Sequence, residues 1–216
     1  MLELGKEITT IGGWSTLYRV KDRPDLCAKV LARHRVYKGG LPDPDMIARK
    51  KYGITDMLQY EWDNYRAILE RIPEHYHGFF VQIYGIESLA NGAKALIMEC
   101  VRDNQGNIAK NLDENRVPLE PAFFHNLEML RKEVFLKYSI DHFGVACRNI
   151  LVRDPATPVL IDFQNTKQRY KYQFWLHIPW FVRQKMNRRF QRVYKDLNQD
   201  IRALGNNDRK RPLTPR

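Results

Sequence analysis

Along the first thirty residues hydrophobic and polar positions alternate with the two-residue period of a half-buried strand, and the alternation breaks at turn residues. "EITTIGG", "STLYRV" and "LCAKVL" read as strands and "KDRPD" as a turn, so residues 7 to 31 are predicted to form a hairpin. "RHRVYKGGLPDPD" is a loop punctuated by Gly and Pro. From Met46 to Ile72 the period lengthens to that of a helix, with Met57, Tyr60, Asn64–Tyr65, Ile68 and Leu69 at helical spacing and Pro73 as the stop. "FFVQIYGIES" and "KALIMECV" read as strands joined by "LANG", and "RDNQGN" as a polar loop. In "EPAFFHNLEMLRKEVFLKYSI", Phe124, Leu127, Leu130 and Val134 line one stripe behind Pro121, which suits a first helical turn. "NILV" and "PVLIDF" are short strands around the turn "RDPATP". A last helix runs from Ile178 toward Ala203 with Val182, Met186, Phe190, Val193 and Leu197 on one face. The order is five strands with one helix inserted, then a mostly helical half with a short hairpin: an α+β chain.

Composition narrows the class. A chain of 216 residues with 44% hydrophobic and 28% charged residues suits one large domain or a small two-lobed one with a real core. "MLELGKEITTIGG" lacks a basic segment followed by an apolar run, so no signal peptide is expected, and no window reaches the ~18 apolar residues of a membrane span. Cys27, Cys100 and Cys147 are odd in number, far apart and not spaced as zinc ligands, which fits reduced thiols. A cytoplasmic location is expected. The net charge of +11 lies entirely beyond residue 166, where fourteen Lys and Arg face only Asp196, Asp200 and Asp208. Within that part "RQKMNRRFQRVYK" joins six positive charges to an apolar stripe. The plain reading is an amphipathic helix packed on the domain with a solvated cationic face. The sharper one is attraction to an anionic surface, and Trp175 and Trp180 beside Pro179 favour a membrane interface, peripheral at the inner membrane, over nucleic acid. "NDRKRPLTPR" reads as a frayed terminus.

Five short stretches carry the candidate chemistry. "HFGVACRNIL" places His142 and Asn149 seven apart, the His-to-Asn spacing of a kinase catalytic loop, but with Gly144 where the catalytic Asp belongs. "IGGWSTLYRV" sets Gly12, Gly13, Trp14 and Ser15 where a β-turn-β would cover nucleotide phosphates, since glycines let backbone amides approach. Two adjacent glycines are by themselves more often a plain hairpin turn. Sixteen residues after Gly13, Lys29 in "CAKVL" stands on a strand, as does the Lys that bridges nucleotide phosphates and a helix Glu; Glu61 in "QYEWDNYRAI" is the first candidate partner and Glu70 the second. "ALIMECVRDNQGN" resembles a hinge between lobes, with Met98 guarding an adenine pocket and Glu99 and Val101 offering backbone groups. "VLIDFQN" ends a strand at Asp162, thirteen residues after Asn149, and the two are hard oxygen donors suited to Mg²⁺. Read jointly, these stretches point to ATP and Mg²⁺ as ligands, with Lys29, Glu61, Asn149 and Asp162 as the catalytic set.

With "CAKVL", "CRNILV", "VLIDFQNT" and the basic aromatic stretch "FWLHIPWFVRQKMNRRF" in this order, the chain resembles over nearly its whole length the YrbL family, small bacterial proteins linked to the PhoP regulatory network. The resemblance implies a protein-kinase-like two-lobed fold with a β-rich N-lobe (1–101), a reduced helical C-lobe carrying the basic amphipathic helix (102–203) and a basic tail (204–216). It also implies that a catalytic loop without Asp belongs to the family pattern, and it brings little definite chemistry.

Departures from an active protein kinase set the limits. Gly144 replaces the base, Gln164 replaces the Gly after Asp162–Phe163, the Gly-rich loop lacks its usual first glycine, and no "APE" segment follows in the 53 residues after Phe163. The platform for a peptide substrate is therefore largely missing. Loss of a base costs ~10²–10⁴-fold, whereas most phosphoryl-transfer catalysis is positioning and charge neutralisation. Two outcomes stay open: a slow phosphotransferase on a small or lipid-linked acceptor, with Asp141 or His142 as substitute base, and an inactive pseudokinase serving as a regulatory module in bacterial signalling or envelope stress.

Overall fold

The computed structural model describes residues 2–9, 15–31, 53–141, 144–163, 175 and 178–197. Five antiparallel strands form one sheet in the order β1-β2-β3-β5-β4: β1 (Leu4–Thr9), β2 (Ser15–Val20), β3 (Arg23–Leu31), β4 (Ile83–Ser88) and β5 (Lys94–Glu99). The fold is thus mixed α and β with a mainly antiparallel sheet. The predicted hairpin of residues 7 to 31 is a three-stranded meander, because Leu4–Thr9 pairs along β2 as a strand of its own. The Lys21–Asp22 turn joins β2 to β3, with Asp22 in the left-handed region (φ 59). In the predicted "LANG" turn the left-handed backbone falls on Gly92 (φ 78), where a side chain would be strained.

β5 reads as an uninterrupted apolar run because both of its faces are covered. Ala95 and Ile97 pack with Val20, Leu26, Ala28 and Leu89 in a small cluster on one face. Leu96 and Met98 join the main core on the other, with Cys27, Leu58, Tyr65, Phe80 and Phe163. Helix α1 (Met57–Leu69) lies between β3 and β4 in the chain. Its start is fixed by Asp56, whose carboxylate accepts from the amides of Leu58 (3.1 Å) and Gln59 (3.0 Å) and also pairs with Lys94 at the start of β5 (2.9 Å). The part of the predicted helix from Met46 to residue 52 lies outside the described residues.

The predicted helix after Pro121 changes character midway. Regular α2 (Pro121–Met129) gives way to a π-helical stretch, Leu130–Leu136. The wider turn brings the consecutive Val134 and Phe135 both inside. Phe123, not the predicted Phe124, is fully buried, while Leu127, Leu130 and Val134 are buried as expected. β6 (Ile150–Asp154) and β7 (Thr157–Leu160) form the predicted hairpin. Helix α3 (Pro179–Asp196) buries Val182, Met186, Phe190 and Val193 from the predicted stripe, together with Tyr194; its predicted extension beyond Leu197 lies outside the described residues. The main core is continuous from α1 to α3. Ring contacts run Tyr65–Phe163 (5.2 Å), Phe163–Phe80 (6.2 Å), Phe80–Phe135 (6.3 Å) and Phe135–Phe190 (5.3 Å). Among the described residues no helix is long and apolar enough to cross a membrane.

Candidate functional site

Lys29, Glu61 and Asp162 come from β3, α1 and the segment just after β7, and their charged groups meet. On β3, Lys29 pairs with Leu17 of β2 and Leu96 of β5, so its side chain shares the face that packs on α1. Its ammonium lies 2.8 Å from the Glu61 carboxylate and 3.4 Å from Asp162 Oδ1. Glu61 projects inward because it shares a helical face with Tyr65 and Ile68, both buried. Glu70, the other candidate, caps the far end of α1 and pairs with Arg66 at the surface (3.4 Å).

Burial grades outward through this group: the side chain of Glu61 is 1% exposed, Lys29 12% and Asp162 26%, so Asp162 is the most accessible of the three. Burial pushes the Glu61 pKa above the usual carboxylate range and the neighbouring charge of Asp162 adds to this, with Lys29 opposing. Burial disfavours the Lys29 ammonium too, but the two carboxylates outweigh it and raise its pKa. Glu61 Oε2 is buried, and among the described residues the Lys29 ammonium at 2.8 Å meets its charge.

The chain around Asp162 is held on both sides. Asp162 leaves β7 with left-handed backbone (φ 66), a conformation that Asp tolerates better than most residues. Next to it the Phe163 amide donates to Glu61 Oε1 (3.3 Å), and Asn64 Nδ2 donates to the Phe163 carbonyl (3.1 Å). Asn64 was visible in the sequence only as a member of the helical stripe. A polar residue three places after Glu61, on a face otherwise apolar, is the signal for its clamping role. Asn149 is buried and tied to the same segment, since its carbonyl accepts from the Ile161 amide (3.0 Å). Its side-chain nitrogen donates to the Gly144 carbonyl (2.7 Å).

The remaining predicted site residues are distributed as follows. Met98 is buried opposite Cys27, on the Lys29 face of the sheet. Ser15 opens β2 opposite Leu31. The Val101 carbonyl accepts from the Ala109 amide (2.9 Å). The Glu99 side chain pairs with Arg153 (2.6 Å) and lines a cleft of about 450 Å³ with Asp25, Gln82 and Arg102; none of Lys29, Glu61, Asn149 or Asp162 lines that cleft. Gly12, Gly13, His142 and Gln164 lie outside the described residues. Asp141, considered as a substitute base, is engaged by Lys185 (2.5 Å). Trp175 and Trp180 are exposed. No protein-family model and no curated protein matches this chain.

Among the described residues no three His, Cys, Asp or Glu side chains converge as a metal cluster. Among the described residues Asp162 brings a carboxylate to Lys29, and Asn149 is joined to the same segment through its backbone carbonyl; a carboxylate and an amide would be the small protein share that Mg²⁺ takes when phosphates and water complete its shell.

Proposed function

We propose that this chain is a kinase-like, ATP-binding protein of the YrbL type, with the sheet and α1 as a β-rich N-lobe and the helices with the β6–β7 hairpin as a reduced C-lobe. The observation that carries this reading is the meeting of Lys29, Glu61 and Asp162 around one ammonium, with Asn149 bonded into the Asp162 segment. The sheet order and the position of α1 between β3 and β4 agree with it. In this reading Lys29 orients the phosphates and Glu61 holds Lys29 from behind. Mg²⁺, when held by Asn149 and Asp162, neutralises charge on the phosphates.

A specific observation favours a pseudokinase as the second reading. Gly144 offers no carboxylate, its carbonyl is taken by Asn149, and Asp141 is held by Lys185. Thermal unfolding with ATP and Mg²⁺ tests the common ground. Ligand at ~100 times its Kd stabilises by ~2.7 kcal/mol, and that gain is expected to vanish in Lys29→Met. Absence of stabilisation at millimolar nucleotide overturns both readings. Phosphotransfer product that appears with wild type and not with Asp162→Asn selects the enzyme; equal background selects the pseudokinase. Exposed Ile178, Trp180 and Phe181 at the start of α3 support a peripheral position on an anionic membrane. Vesicle co-sedimentation unchanged by Arg188→Glu with Arg189→Glu removes that part.

A further inference from the structure

Helix α3 is fixed to the domain by one side and presents the other to solvent. Its inner side carries the buried Val182, Met186, Phe190, Val193 and Tyr194. Polar contacts fasten the same helix. Lys185 Nζ lies 2.5 Å from Asp141 Oδ1, Arg183 Nε donates to the Leu136 carbonyl (2.9 Å) and to Ser139 Oγ (3.2 Å), and Asn187 accepts from Arg131. The helix cannot roll over to offer its apolar stripe elsewhere without giving up core, so a partner from outside meets its outer side.

That outer side has a definite order. Phe181, Gln184, Arg188, Gln191 and Lys195 recur every three or four residues, with Trp180 and Arg192 flanking the row, and all seven are exposed. The aromatic rings stand at the N-terminal end. Trp180 is 59% and Phe181 40% exposed, their ring centroids lie 4.8 Å apart, and exposed Ile178 comes just before them. The cations Arg188, Arg192 and Lys195 follow on the next turns. The helix holds a single acid, Asp196 at its last position, so no carboxylate interrupts the row. From Trp180 to Lys195 the row spans about 22 Å.

An indole and a phenyl ring held in water gain free energy by burial, and an indole settles at the depth of lipid headgroups. Anionic headgroups meet Arg and Lys at the same level, each cation adding to the attraction until salt screens it. A duplex groove takes the cations but leaves the aromatic end without an apolar partner.

We propose that the outer face of α3 is a membrane-docking face, lying along an anionic bilayer with Trp180 and Phe181 in the headgroup boundary and Arg188, Arg192 and Lys195 on lipid phosphates. This deepens the peripheral position proposed above and rests on it, naming the surface responsible and the side of the domain that faces the lipid. The test is co-sedimentation of the full chain, without nucleotide, with phosphatidylcholine vesicles that carry or lack phosphatidylglycerol. Binding is expected only with the anionic lipid, weakening as salt rises. Arg188→Ala with Arg192→Ala and Lys195→Ala is expected to weaken it about a hundredfold, and Trp180→Ala with Phe181→Ala about tenfold. Lys6→Ala, which removes an exposed cation on β1, is expected to bind as wild type does. Trp180→Phe should still bind and lose much of the quenching of tryptophan emission by brominated lipid, a readout that charge alone does not move. All these positions are exposed, and unfolding midpoints equal to wild type check that each variant folds. Wild type that stays in the supernatant at low salt overturns the peripheral position and the docking face together. Vesicle binding unchanged in both multiple variants leaves the peripheral position standing and overturns α3 as its cause. A DNA duplex that competes the vesicles off, with Trp180→Ala and Phe181→Ala having no effect on vesicle binding, assigns the row to nucleic acid and also overturns the proposal.

Discussion

Glu61 and Glu128 are both carboxylates on helices, and both are turned into the protein. Glu128, on α2, is 6% exposed and receives hydrogen bonds from Arg131 Nη2 (2.6 Å), Arg131 Nε (2.7 Å) and Tyr194 Oη (3.1 Å), with Lys132 Nζ 3.3 Å away. Arg131 also bonds Asn187, so α2 and α3 are locked by one network. Burial works against the charge of Glu128, but Arg131 and Lys132 outweigh it and hold the pKa below the usual range. Glu61 has one ammonium and one amide, and must share the ammonium with Asp162. The Glu128 cluster is closed, with more positive charge than it needs. In the Lys29 cluster one ammonium is shared by two carboxylates, and the outer of them, Asp162, is partly open to solvent. The first cluster serves the fold, whereas the second is the one that the proposed function assigns to a ligand.

The largest expected effect falls on the closed cluster. Glu128→Gln leaves Arg131 half-buried without its carboxylate and is expected to cost about 3 kcal/mol, read from urea unfolding. It should leave any nucleotide-induced stabilisation in place. A loss below about 1 kcal/mol would show that the cluster does not hold α2 to α3 as described.

The pH dependence separates the two acids by sign. The folded pKa of Glu128 is lowered, so its contribution is present above the usual carboxylate range and disappears as pH falls through the lowered value. The folded pKa of Glu61 is raised, so the stability linked to it is present below the usual range and lost as pH rises through the raised value. Unfolding midpoints followed between about pH 3 and pH 8 should therefore flatten on the acid side in Glu128→Gln and on the higher side in Glu61→Gln. The reverse assignment would sink the comparison.

How much of this was legible beforehand follows from where each partner sits. Lys29 and Asp162 stand out because the first sits within a recognisable strand pattern and the second closes one, each at a chemically meaningful spacing. Glu61 was preferred over Glu70, and the helix phase explains why: Glu61 lies with Tyr65 and Ile68, while Glu70 lies past the last turn. The Glu128 network was not legible. Glu128 and Arg131 look like an ordinary surface pair, and their burial depends on Tyr194, 66 residues away, packing back upon them. The π-helical stretch was equally hidden, since a widened turn leaves the apolar letters of a helix unchanged. Local period and spacing are written in the chain; partners supplied by distant segments are not.

Asn64→Ala removes the hydrogen bond to the Phe163 carbonyl, a neutral bond in a half-buried setting. A loss of about 1 kcal/mol is expected. Because Phe163 follows Asp162 directly, nucleotide affinity should weaken as well, measured by the shift in unfolding temperature at fixed ligand. A variant that loses stability and keeps its full nucleotide response would make Asn64 a structural residue only.

Glu61→Gln should change stability least, yet it is the sharpest test of the contrast. Gln keeps an oxygen for the Phe163 amide and for Lys29, and it removes a charge that burial and Asp162 both oppose. Lys29 retains Asp162 as its ionic partner. These effects oppose one another, so the free energy of unfolding near neutral pH should stay within about 1 kcal/mol of wild type. The ligand response should not survive. Without Glu61 behind it, Lys29 is drawn to Asp162, and the carboxylate that would hold the metal is neutralised by the ammonium that would hold the phosphates. The expected result is wild-type unfolding without nucleotide and a shift with ATP and Mg²⁺ reduced at least tenfold in apparent affinity, ~1.4 kcal/mol. A loss near that of Glu128→Gln would mean that the two buried acids do the same job, and the division between a closed cluster and an open one would fail.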